Sequence, residues 1–144
     1  MLELAREIQE LMEEEARSAL QAGWAELTVA EVDIGPSLHL EPVRLECAPL
    51  EIYFDSAQLV ICSPGRKGMS CEFFSEVPGG VKDQVQALAA AVVTGKYEER
   101  MREGSSELVA SWPGPTGSEE AVREALVTTG LGPDIWTTVS YEPY

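Results

Sequence analysis

"CSPGRKGMSC", residues 62–71, places two cysteines around a tip in which glycines flank Arg66-Lys67. With Arg66 and Lys67 at the tip of a hairpin, paired residues have numbers that sum to 133, so Cys62 faces Cys71 across an antiparallel ladder. In a reducing compartment these are two adjacent thiols, and mild oxidation is expected to link them. The same hairpin organises its neighbours. Strands are expected over 38–47, 50–54, 58–62 and 69–76, separated by Pro49, by "DSA" at 55–57 and by the glycine-flanked tip. This is an antiparallel meander.

Upstream, Leu4, Ile8, Leu11, Met12, Ala19 and Leu20 fall on one face of a first helix that Gly23 closes. From Trp24 to Ile34 the pairs Leu27/Val29 and Val32/Ile34 each have period two but are out of phase, which predicts a bulge or bend near Ala30, with "GPS" at 35–37 as the turn. Downstream of the "PGG" break at 78–80, Val85, Leu88, Ala89, Val92 and Val93 recur at helical spacing in a second helix over 81–94. Residues 96–103 and 106–112 read as a hairpin in preference to a continuation of the helix, because Gly95 precedes them and "EGSSE" lies between them, and "IWTTVSY" at 135–141 reads as a last strand. Ser118 suits the cap of a third helix ending at Gly130, with Glu119 and Glu120 at the positive end of its dipole. The expectation is one α+β domain over residues 1–144. It has a single mainly antiparallel sheet with about three helices on one face, in the order α-β-β-β-β-β-α-β-β-α-β.

The chain is 144 residues long and 44% hydrophobic, enough for one core without disulfides or metals. Ten Lys and Arg against 25 Asp and Glu leave a net charge of −15, which repels nucleic-acid phosphates and anionic lipid. Neither a nucleic acid nor a membrane is expected as partner; a basic protein is. The N-terminus "MLELAREIQELMEEEARSAL" carries acid early and lacks a basic segment before a hydrophobic run, so the expected location is cytoplasmic.

No motif assigns an activity. "AVVTGKYEER" at 91–100 contains Gly-Lys, but Tyr97 stands where a phosphate loop needs Ser or Thr, and Ala90 where it needs glycine. Gly95 reads instead as a helix stop. Cys47, Cys62, Cys71 and His39 lack the close pairs that fix two zinc ligands at once, so no metal or cofactor is expected. Ser37 precedes His39 by two residues without a nucleophile elbow, and reads as a turn serine beside a half-exposed strand histidine. Glu98 and Glu99, next to Lys96, Arg100 and Arg102, read as an exposed mixed-charge face, and Trp112 and Trp136 as core or edge anchors.

The function expected on these grounds is that of a small acidic binding protein, a monomer or homodimer and not an enzyme. It would mask a basic or hydrophobic client, as immunity proteins and secretion chaperones do. The partner-binding acid is assigned to Glu13, Glu14 and Glu15 of the first helix and to Glu119, Glu120 and Glu124 of the third. The other reading is an enzyme or ligand-binding domain with a pocket between sheet and helices.

Overall fold

A computed structural model describes residues 2–32, 35–77, 80–104, 107–115, 120–125 and 135–144. The N-terminal segment is helical for the reason its periodicity gives. In α1 (Leu2–Glu15), Leu4, Ala5, Ile8 and Met12 are buried while Glu3, Glu10, Glu13 and Glu14 face solvent. The helix breaks at Ala16 and resumes as α2 (Arg17–Ala22), so the single predicted helix is two short ones before Gly23.

Five strands follow as a meander. They are β1 (Ala25–Val32), β2 (Gly35–Pro42), β3 (Leu50–Phe54), β4 (Leu59–Pro64) and β5 (Cys71–Phe74), antiparallel and in chain order. Buried and half-exposed residues alternate along β2, β3 and β4, which puts Leu38, Leu40, Leu50, Ile52, Phe54, Val60 and Cys62 on one inner face. The hairpin register is the predicted one, with Cys62 opposite Cys71. Two local expectations change. "GPS" opens β2 instead of forming the turn, and β1 pairs with β2 without a slip from Ala25↔Pro42 to Val32↔Gly35, so there is no bulge at Ala30. The phase shift misled because β1 is an edge strand: Val29 is 52% exposed, so apolar residues there do not report a buried face.

After α3 (Lys82–Thr94), Gly95 takes a left-handed conformation, and the N–H groups of Gly95 and Lys96 donate to the carbonyls of Val92 and Ala91. This pattern ends a helix. The chain then enters a second sheet made of β6 (Glu98–Arg102), β7 (Leu108–Pro113), β8 (Glu120–Ala125) and β9 (Trp136–Ser140), antiparallel in the order β8-β7-β6-β9. The fold is α+β, with two sheets where one was expected. α3 separates β5 from β6, and β6 pairs with β7 as a local hairpin and with the distant β9, a non-local choice that no periodicity encodes. The β6–β7 hairpin and the final strand are as predicted.

The predicted third helix is strand over 120–125. Residues 120–125 pair along the whole of β7, from Leu108↔Ala125 to Pro113↔Glu120. Ladder bonds and packing outweigh helix propensities that differ by only tenths of a kcal/mol per residue. Ser118, Glu119 and Gly130 lie outside the described residues.

The two sheets share one core. Phe73 of β5 meets Trp112 of β7 edge-on at 6.4 Å, and Tyr97 packs between Trp112 and Tyr141 with ring centroids at 6.0 and 5.8 Å. Trp112 is thus the core anchor that the sequence suggests. Trp136 is half-exposed, with the Arg100 guanidinium 5.8 Å from its ring centroid.

Candidate interaction surface

Helices α1 and α2 pack on the inner side of the first sheet, against β2 and β1, while α3 lies on α1 and on β7; the residues of the opposite, outer face are exposed or half-exposed. Register assigns its occupants: Thr28, His39, Glu51 and Ser63 form one row, and Ala30, Ser37, Tyr53, Ile61 and Glu72 the next. Glu26 lies beside Glu41, and Leu59 beside Phe74. The ladder extends one step past β1 and β2, because the Val43 N–H donates to the Trp24 carbonyl at 2.8 Å. Trp24 and Val43 are 58% and 71% exposed, and Phe74 is exposed at the opposite corner. The result is a broad face with exposed aromatic corners and four carboxylates between them.

Hydrogen bonds order the middle of this face. His39 Nε2 lies 3.1 Å from Glu41 Oε2 and 3.7 Å from Glu51 Oε1, and the Tyr53 hydroxyl donates to Glu51. The Arg66 guanidinium donates to Glu41 at 3.4 Å and to the carbonyls of Leu45 and Cys47, both at 3.2 Å. Ser37 Oγ is spent on the Ala30 carbonyl at 3.4 Å and does not engage His39. Among the described residues no group of His, Cys, Asp and Glu has a metal-holding arrangement.

Comparison with family models, with curated proteins and with solved structures returns no match. The site therefore rests on geometry alone.

The glutamates singled out in the sequence do not form one site. Glu13 and Glu14 are exposed on α1, where Gln9 donates to Glu13 at 3.1 Å and Arg17 pairs with Glu14. With Glu10, Arg17, Leu20 and Gln21 they line a shallow hollow of about 450 Å³. Glu15 turns toward α3 and accepts from Gln86 Nε2 at 3.3 Å. Because α1 packs on the inner face of the first sheet, these carboxylates and His39 look out from opposite sides of the molecule. Glu120 and Glu124 stand on β8, opposite Pro113 and Val109 in register.

The expected mixed-charge face at 98–102 is half wrong. Glu98 and Arg100 are exposed, but Glu99 is fully buried. Strand alternation is the reason, since Tyr97, the residue before β6, and Glu99 share a face and Tyr97 is buried in the core. Tyr141 Oη donates to Glu99 Oε1 at 3.1 Å and accepts the Arg66 backbone N–H at 3.0 Å. Glu99 Oε2 and Tyr97 Oη are buried without a hydrogen-bond partner. Burial pushes the Glu99 carboxyl above its ordinary range, against the lowering effect of the Tyr141 hydrogen bond and of Lys67. Burial, with Glu99 beside it, likewise raises the Tyr97 phenol, and Tyr141 is pushed up to about 12. Almost wholly buried, this cluster is a joint between the two sheets.

An open cleft of about 650 Å³ lies beside α3, lined by Glu15, Asp83, Gln86, Thr94, Lys96 and the Pro113–Pro115 turn. The Thr94 hydroxyl, which faces it, donates to the Ala90 carbonyl at 2.7 Å.

Proposed function

We propose that this chain binds and masks a basic protein partner. The outer face of the first sheet is the contact surface, and the summed negative field draws the partner in. The supporting observation is the joint presence on that face of exposed Trp24, Val43 and Phe74 with Glu26, Glu41, Glu51 and Glu72, into which one cation, Arg66, reaches. Exposed aromatic side chains are what a protein interface uses as anchors, and the carboxylates between these two corners select a partner of opposite sign. The α1 glutamates Glu13, Glu14 and Glu15 act at longer range, by adding to the field, as do Glu119, Glu120 and Glu124. A cytoplasmic protein that neutralises a toxin or escorts an effector needs such a surface.

The test is site-specific photo-crosslinking in native cells, with a benzophenone side chain at residue 61 in the middle of the outer face or at residue 10 on α1. A basic polypeptide linked through residue 61 and not residue 10 is expected. Trp24→Ala should weaken its binding by about 30-fold, the loss of an anchor worth roughly 2 kcal/mol. An acidic adduct, no adduct, or equal adducts from both positions would overturn the proposal.

A further inference from the structure

β1 is the edge of the first sheet and, among the described residues, pairs only with β2. Hydrogen-bonded and non-bonded positions alternate along an antiparallel pair. The bond from Val43 to the Trp24 carbonyl, at a pair in the same register, makes Glu26, Thr28 and Ala30 the residues bonded to β2. The N–H and C=O groups of Ala25, Leu27, Val29 and Glu31 therefore point out along an open edge. Side chains alternate as well. Leu27 and Val29 share the inner face with Leu40 and Leu38, yet Leu27 is only half-buried and Val29 is exposed. The sheet overhangs its helix layer here, and the apolar strip is one strand short of cover.

Resting on the reading that the partner is a basic protein, we propose that it docks by adding an extended, basic segment to the β1 edge as a sixth strand of this sheet. Such a strand would meet the outward backbone groups of β1, cover Leu27 and Val29 with its inward side chains, and set its outward cations beside Glu26. Glu31, exposed near the far end of β1 on the Leu27 and Val29 side, would take a cation at the end of the added strand's inward row. A second copy of this chain does not fit the edge, because it would bring another net charge of −15 against the first. Acid on an edge strand blocks unwanted pairing, and a cationic strand is the one that this guard admits.

The probe is an alternating lysine–valine nonapeptide, compared with the same peptide N-methylated at every second residue so that charge is kept and strand pairing lost. Binding to the full chain is read by calorimetry, and edge pairing by amide exchange. The unmodified peptide should bind at least about tenfold more tightly than the methylated one, the loss of one or two net hydrogen bonds. It should slow exchange at Leu27, Val29 and Glu31 and leave Thr28 and Ala30 unchanged. Val29→Pro removes an outward N–H without touching the β2 ladder, and should abolish the difference between the peptides. Amide exchange in the unaltered chain decides the matter if that variant misfolds. Equal binding of both peptides overturns strand addition and leaves the acidic-surface reading standing. Binding of neither overturns strand addition too, while the photo-crosslink at residue 61 judges the broader reading independently.

Discussion

Gly65, at the tip of the β4–β5 hairpin, lies against the carboxyl of Glu99 on β6. A methyl group at residue 65 would come within 2.0 Å of Glu99 Oε1 and 3.1 Å of Tyr141 Oη. The tip of one sheet is thus seated on the buried joint of the other, and the Arg66 N–H bond to Tyr141 holds it there.

Gly65→Ala should therefore destabilise the protein much more than Gly68→Ala. Both glycines have positive φ, and that strain alone costs about 1–2 kcal/mol in an alanine. Residue 68 has open space around its missing Cβ, whereas at 65 the joint must also move. Urea midpoints of the two variants check this, with roughly 3 kcal/mol or more expected for residue 65. Equal losses would mean that the tip is not seated.

Glu99→Gln should raise stability at neutral pH. The folded state holds the Glu99 proton more tightly than the unfolded state, so this contribution is complete below the ordinary carboxylate range, near pH 4, and is lost as pH rises through the elevated folded value. Glutamine has no charge to desolvate and suffers no such loss. Melting curves of the two proteins should converge near pH 4 and separate by a few degrees at pH 7, the scale of a 1 kcal/mol change in a domain of this size. A variant less stable than the parent at pH 7 would show that the carboxylate is held charged.

Tyr141→Phe takes the donor from Glu99 and the acceptor from the Arg66 N–H, both at the joint. A loss of about 1–3 kcal/mol is expected. Combining it with Glu99→Gln should cost less than the sum of the single changes, because one of the lost partners is then no longer a carboxylate. A double-mutant cycle in urea measures that coupling.

Any disulfide formed within the chain should join Cys62 and Cys71, which face each other in register. Both thiols are buried, and burial pushes the Cys62 thiol well up, so little thiolate is present to react. Oxidation of the folded protein should then proceed at the rate of local opening and quicken sharply at the urea midpoint. Peptide mapping after treatment with diamide reads the connectivity, and a bridge to Cys47 would contradict the register.

Local chemistry was legible in the sequence wherever one short-range pattern decides one element. Gly95 ends α3, Gly65 and Gly68 bracket a tip that sets Cys62 against Cys71, and the 96–112 hairpin forms, because turn geometry and side-chain alternation are properties of a few neighbouring residues. The composition likewise determined an acidic chain with enough apolar residues for a core. What tertiary structure alone decided is where strands from distant parts of the chain meet. Residues 120–125 have a helical pattern but complete the ladder of β7, β6 leaves the first sheet to found a second, and Glu99, one residue from exposed Glu98, is sealed beneath the tip at Gly65. The surface on which the proposed function rests has the same origin. Trp24, His39, Glu51 and Phe74 are up to 50 positions apart and come onto one face only through strand register, since ladder bonds and burial at long range outweigh the small local preferences a sequence displays.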